Sequence, residues 1–437
     1  MRCRLDYGRT GLDVEIPDDL GATVVESPAS EPLPDAAATV RKSLLRPIAS
    51  PPLAEVARGR RDAVVVISDK TRPVPNGLLL PPILETLEAS GVPRERIEIL
   101  VGTGLHRANT PAELVEMTSA DLVARYRIRN HDARDGGAHR HLGRTARGTE
   151  IWLDRGYLDA SLRIVTGLVE PHLMAGYSGG RKGVAPGLAG VETMKSAHGP
   201  AMLEENIGPG ILEGNPFHED LLEIARTAGV DFLVNVSIDR ARRLTGVFAG
   251  DLERAHLEAV RFVEREVSVA LDHPADVVVT SAGGSPLDAT WYQSIKGLIG
   301  ALNVVRRRGT VILAAEMSEG VGSLEFRTLL SKMRDPDDFM ARINAPGFFS
   351  IDQWMVQHLC QVLRKVKVRV VTRGLDAAEL RSFFVGAASS VEEALAEALR
   401  EHGPRARVAV IPEGPYVLAT VRGRRLAIGR AWLDDAA

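Results

Sequence analysis

Short runs of aliphatic residues recur along this chain, each followed by a turn rich in glycine, proline or small polar residues and then by a stretch of helical periodicity. Ala63-Val-Val-Val-Ile-Ser68 enters the turn from Asp69 to Pro75, and Ile97-Glu-Ile-Leu-Val101 runs into Gly102-Thr-Gly104. Leu162-Arg-Ile-Val-Thr-Gly-Leu168 runs into Glu170-Pro-His-Leu-Met-Ala-Gly-Tyr-Ser-Gly-Gly-Arg-Lys-Gly-Val-Ala-Pro-Gly187. Later runs span residues 232–238, 276–280, 310–315, 366–371 and 408–411. Continuous apolar strands alternating with helices predict an α/β fold with mostly parallel sheets, since a strand is apolar throughout when helices cover both its faces. Leu12-Asp-Val-Glu-Ile16 instead alternates, after the Gly8-Arg-Thr-Gly11 turn, and predicts an antiparallel edge hairpin.

A chain of 437 residues exceeds one ordinary core, and 45% hydrophobic content fills two. The helical pattern over 251–267 stops at Asp272-His-Pro-Ala275, so a domain boundary is expected near residue 270, dividing 1–270 from 271–437. Ile351, Trp354, Met355, Leu359 and Val362 form an apolar helical stripe that places Trp354 and His358 in the core. Arg306-Arg-Arg308, before Gly309, is expected at the solvated C-terminal end of a helix.

The formal charge of −3, with both signs interspersed, provides no field for gathering nucleic acid or anionic lipid. No signal-peptide pattern opens the chain and no apolar stretch is long enough to span a bilayer, so the cytoplasm is the expected compartment. Cys3 and Cys360 are isolated from each other in sequence, which argues against a disulfide framework or a structural zinc site.

The unusual polar residues fall directly after predicted strands, where ligands bind in open α/β sheets. Asp69 and Arg72 sit in a turn stiffened by Pro73 and Pro75; Arg72 suits a carboxylate or phosphate, although an Asp cap with a paired Arg would read the same way. Gly102-x-Gly104-x-x-Arg107 has arginine where a dinucleotide fingerprint needs its third glycine. His106 in that turn is a candidate acid/base group, or a surface-loop histidine. In the third turn His172 and Lys182 flank a glycine-rich bend whose Gly179 and Gly180 would let backbone approach an anion, without the spacing of a Walker loop. In the fourth, Tyr292, Gln293 and Lys296 open a helix after Gly283-Gly-Ser285, with Gln293 and Lys296 on one face. That helix N-terminus and its lysine would suit a carboxylate; the alternative is an exposed lysine. His106, His172 and His198 have no metal-cage spacing, so a bound metal would need a shell completed from outside the protein.

Taken in order, Asp69-Lys-Thr-Arg-Pro-Val-Pro75, Gly104-Leu-His-Arg107, Asn130-His-Asp132, Pro171-His-Leu-Met-Ala-Gly-Tyr-Ser-Gly-Gly-Arg-Lys182, His198 and Tyr292-Gln-Ser-Ile-Lys296 resemble the nickel-dependent lactate racemase family over nearly the whole chain. The resemblance implies racemisation or epimerisation of a small 2-hydroxy acid, lactate by default, in a cleft between two domains. It also implies a nickel-pincer nucleotide (pyridinium-3,5-bisthiocarboxylic acid mononucleotide) made by dedicated maturation proteins. By the same resemblance Lys182 links the cofactor, His198 ligates nickel, and His106 and His172 are the paired acid/base groups. Asp69, Arg72, Tyr292, Gln293 and Lys296 surround substrate and cofactor, with Arg72 and Lys296 as anion partners, and Trp354 is compared with a pocket-wall tryptophan. The chemistry fits: C2 of a 2-hydroxy acid is too weakly acidic for histidine, so hydrogen leaves as hydride while a histidine takes the hydroxyl proton. Two rivals stand beside it. A nicotinamide-dependent hydroxy-acid dehydrogenase would need the fingerprint that Arg107 interrupts, and a non-catalytic nickel or nucleotide carrier would not need both His106 and His172.

Overall fold

The computed structural model describes residues 1–423 apart from positions 29 and 205, so the last part of the expected second domain, residues 424–437, lies outside the described residues. Among those described, two six-stranded sheets organise the chain. The first runs in the order Leu244–Gly250, Phe232–Ile238, Arg163–Leu168, Ala63–Ser68, Ile97–Gly102, Arg127–Asn130. Every neighbouring pair in it is parallel except the edge strand Leu244–Gly250, which returns antiparallel on Phe232–Ile238. The second runs Gly386–Ala387, Lys367–Val371, Val305–Ala314, Ala275–Ser281, Val408–Ile411, Thr23–Val24, all parallel. The mixed α/β architecture with parallel sheets agrees with the apolar runs in the sequence.

Val64, Val65, Val66 and Ile67 are all fully buried, as a strand covered on both faces requires. Helix Arg254–Val267 shows the matching one-sided pattern: Ala255, His256, Ala259, Val260 and Val263 are buried while its other face is charged. A fully buried valine on such a face is worth about 1.5–3 kcal/mol, so the stripe fixes the helix on the strands it covers. Helix Gln353–Lys365 likewise buries Trp354, Met355, Leu359 and Val362.

The N-terminal strands Arg2–Leu5 and Leu12–Glu15 form the expected antiparallel hairpin. Leu5, Tyr7, Val14 and Ile16 pack with Val277, Val279, Ile312 and Val410, so the start of the chain lies on the second sheet, a long-range pairing that local pattern does not reveal. One element departs from expectation. Arg306, Arg307 and Arg308 belong to strand Val305–Ala314 and not to a helix end. The helix stops at Ala301, and the three arginines stay exposed on the strand, Arg306 pairing with Asp276. Among the described residues no helix is long and apolar enough to cross a membrane.

Candidate active site

In the first sheet the chain leaves Ala63–Ser68 toward Ile97–Gly102 on one side and adds Arg163–Leu168 on the other. That reversal opens a crevice beyond the carboxyl ends of these strands, where loops diverge. A cavity of about 1060 Å³ lies there, lined by Asp69, Arg72, Gly104, His106, His172, Gly179, Lys182 and His198, and by Tyr292, Gln293, Lys296 and Trp354 from beyond residue 290. Every residue singled out from the sequence as a candidate lines it except Gly180.

Asp69 turns the chain just after its strand, its Oδ1 accepting from the Thr71 amide and hydroxyl. Its other oxygen accepts the Nδ1–H of His106 at 2.6 Å. Burial alone would raise the Asp69 carboxyl, but His106, Thr71 and Arg72 outweigh it and hold it below the ordinary carboxylate range. Gln293 Nε2 donates to His106 Nε2 at 3.3 Å, so in this arrangement the outward nitrogen carries a lone pair. Gln293 Oε1 is buried without a partner, and a flipped amide would serve the protonated ring equally well.

His172 is bound differently. Its Nδ1 accepts the backbone N–H groups of Met174 and Ala175, both at 3.2 Å, which leaves the proton of the neutral ring on Nε2. Burial, and then the charges of Lys182, Arg72 and Lys296, push it well below the usual histidine value. Lys182 is pushed far below the ordinary lysine value by burial and then by Arg72, Arg181 and Lys296, which favours the free amine. Lys296 shifts the same way, through burial and Arg72, with Glu170 opposing.

His198 caps the C-terminus of helix Val191–Ala197, its Nδ1 donating to Met194 O at 3.2 Å. That bond points the Nε2 lone pair away from the helix, and among the described residues no group hydrogen-bonds it. Burial, then Lys182, lowers it to about 3, so it is neutral throughout the physiological range. The ring packs on Phe217 and on Trp354, with centroids 5.0 and 4.7 Å away. Trp354 is buried, as its helical stripe predicts, yet it also lines the cavity, and its Nε1 donates to Tyr292 Oη at 2.9 Å. His358 is a core residue bonded to Gln361. Among the described residues, no group of three or more His, Cys, Asp or Glu side chains could hold a metal by itself.

The Gly102-x-Gly104 turn is packed as its missing third glycine leads one to expect, whereas Gly180 and a helix end work otherwise than expected. Gly104 N donates to Gly187 O at 3.0 Å, and a Cβ at Gly102 would meet Gly187 Cα at 3.3 Å. The Gly102-x-Gly104 turn thus admits a neighbouring loop instead of a dinucleotide pyrophosphate. Gly180 has φ +55°, and a Cβ there would lie 2.7 Å from His256, so it serves packing behind the cavity. The N-terminus of helix Trp291–Ala301 is closed: its amides go to Gly320 O, Val321 O and the Thr290 hydroxyl. These amides are therefore taken by the protein, and the Lys296 side chain is the group this helix offers the cavity for a carboxylate.

Asn130-His131-Asp132 lies outside the cavity lining. His131 bridges Asp154 and Ala189 O and braces the loop that leads to the His198 helix. Sequence reasoning assigned no role to Asp352, which lines the cavity, accepts from Ser323, and is raised by burial above the ordinary aspartate value. Nor did it assign one to Glu170, whose Oε1 lies 3.1 Å from Arg72 Nε. Both owe their place to long-range packing, although Glu170 stands in the distinctive third turn.

Comparison with known proteins finds relatives over most of the chain. A model of the lactate racemase N-terminal domain matches residues 7–210, and one of the lactate racemase C-terminal domain matches residues 270–419. The lactate racemase of Thermoanaerobacterium thermosaccharolyticum is 32% identical over 419 residues, covering 95% of this chain and 98% of that protein. That of Lactiplantibacillus plantarum is 36% identical over 384 residues, covering 87% and 90%. Among solved structures, the lactate racemase apoprotein from T. thermosaccharolyticum superposes with a TM-score of 0.89 at 32% identity, over 96% of this chain and 100% of that one. A Thermotoga maritima protein at 17% identity shares the fold, with a TM-score of 0.70 over 90% of this chain and 100% of that one.

Proposed function

The chain belongs to the lactate racemase family, and from that premise we propose that it interconverts D- and L-lactate by reversible hydride transfer, with a nickel-pincer nucleotide as cofactor. The observation that carries the reading is the gathering of His106, His172, Lys182, His198, Arg72 and Lys296 around one cavity from separate loops. We place the division of the chain near residue 270 and the activity in the cytoplasm, where its two free cysteines would stay reduced.

The residues present fit the cofactor. Lys182 is half-buried in surroundings that favour the free amine a covalent link requires, and His198 has an unshared nitrogen in a site where, among the described residues, no cluster of side chains could hold a metal by itself. Lys182 would hold the nucleotide and His198 would ligate its nickel, while Gly179, on the cavity wall at φ +73°, is held close against Asn235 and Val169. When bound, the group supplies a reversible acceptor for the C2 hydride of the substrate.

The chain supplies the rest. Arg72 and Lys296 bind the substrate carboxylate and so fix which way the hydroxyl and C2 face. His106 Nε2 takes the hydroxyl proton, and Asp69 stabilises the imidazolium that results. His172 Nε2–H faces the same substrate oxygen as a donor, and the two histidines exchange roles for the opposite enantiomer. Trp354 and the apolar walls exclude water from the reacting face. The dehydrogenase rival loses support because its glycine turn is filled by Gly187, and the carrier rival leaves the His106–Asp69 pair without a purpose.

Supplied with the nickel cofactor and single-enantiomer L-lactate, the chain should produce D-lactate to an equal mixture on chiral chromatography. Net formation of 2-oxo acid with added nicotinamide and no D-lactate would overturn the reading. Maturation proteins are the required partners, so chain made without them should gain activity only on addition of the cofactor.

A further inference from the structure

Arg72, His172 and Lys296 line two cavities, the one described above and a second of about 480 Å³ beside it. Glu170 lines only the second, together with Asn303 and Tyr416. It therefore meets Arg72 from behind the main cavity, with its Oε1 3.1 Å from the Arg72 Nε and both side chains more than four-fifths buried. Among the described residues the terminal nitrogens of Arg72 have little to hold them: Nη1 has a 3.4 Å contact with the carbonyl of its own neighbour Thr71. The root of Glu170 is rigid. Its N–H donates to Ser178 Oγ at 3.1 Å, its carbonyl accepts the Ser178 N–H at 2.9 Å, and the same hydroxyl donates to Leu168 O at 2.7 Å. A buried arginine gripped at Nε is oriented as a fork, with its two terminal nitrogens left for another carboxylate.

We propose that Glu170 is the positioning residue of the substrate-carboxylate site: seated behind the main cavity, it takes the Nε edge of Arg72 and leaves the terminal guanidinium nitrogens to the bound hydroxy acid. Among the described residues its Oε2 is buried without a hydrogen-bond partner, and its charge acts on Lys296. Burial raises the Glu170 carboxyl, and the charges of Arg72, Lys296 and Lys182 oppose that shift without cancelling it. One turn then carries both the holder of the anion clamp and, two residues on, His172. The inference rests on the racemase reading for the identity of the anion, and on geometry for the rest.

The test is a double-mutant cycle on the full chain, using Glu170→Ala, Arg72→Ala and both together, with Glu170→Gln as the variant that keeps shape and acceptor. Lactate affinity is read twice, as KM on the cofactor-loaded enzyme and as the change in tryptophan fluorescence when L-lactate is added to cofactor-free chain. Glu170→Ala should weaken lactate about tenfold or more with kcat changed far less, Glu170→Gln should weaken it less, and neither loss should recur once Arg72 is alanine. An equal loss in the Arg72→Ala background, or unchanged lactate affinity in Glu170→Ala, would overturn the assignment. Wild-type chain that binds lactate without racemising it would sink the functional reading while leaving this cycle to stand or fall by itself.

Discussion

His106 and His172 line one cavity but are presented in opposite chemical forms. His106 is tied at Nδ1 to a carboxylate and is touched at Nε2 by an amide donor, and its side chain is 39% exposed. His172 is half-buried, surrounded by Lys182, Arg72 and Lys296, and tied at Nδ1 to two backbone N–H groups. The first is a base with its counter-charge in place. The second is a neutral ring that offers Nε2–H as a hydrogen-bond donor. To move a proton at Nε2 it must gain one at Nδ1, which means releasing the amides of Met174 and Ala175. The same residue type is thus set to two tasks by its partners, and the costlier adjustment falls on the His172 turn.

Removing either histidine tests whether both are needed. His106→Ala and His172→Ala should each lower kcat by about 10²–10⁴, with nickel content unchanged, whereas His198→Ala should lose nickel itself. His172→Asn sharpens the contrast, because asparagine can donate a hydrogen bond but cannot relay a proton. It should be as inactive as alanine in a racemisation assay, and near-normal turnover would reduce His172 to a donor. Next in size is Asp69→Asn, which takes away the counter-charge of His106 and should cost about 10–100-fold in kcat. Because Asp69 is held below the ordinary carboxylate range, it stays ionised well into acid, so that difference should persist in a pH profile down to about pH 4.

The smallest effect on activity is expected at a buried histidine outside the cavity. Burial lowers His358 to about 4, with its bond to Gln361 opposing. Between pH 6.5 and about 4 the unfolded chain binds a proton there that the folded chain refuses, so stability falls as pH falls through that window. His358→Gln should remove about 2 kcal/mol of the stability lost between pH 7 and pH 5 in denaturant titrations, with racemase activity retained. An unchanged acid slope would show that His358 is solvated.

Much of this was legible in the chain itself. The strand at Ala63–Ser68 could be read because four buried aliphatic residues follow one another, and the sheet then forced Asp69 and Arg72 to the ligand-binding edge. His198 could be placed only through the family resemblance, since its isolation looks unlike a metal site. Arg306 to Arg308 was misread because a helix stop and the exposed start of a strand carry the same charged signal. The closed N-terminus of helix Trp291–Ala301 and the grip of Glu170 on Arg72 depend on residues distant in sequence, Gly320 and Val321 in one case and a strand-end turn across the sheet in the other. Such pairings are fixed by tertiary packing and leave no local periodicity to read.

The central claim is that C2 hydrogen moves as hydride while the histidines handle only the hydroxyl proton. The direct measurement is incubation of cofactor-loaded chain with one lactate enantiomer in deuterated water, followed by mass analysis of the inverted product. The account predicts inversion with protium retained at C2; deuterium entering C2 at the rate of inversion would contradict it.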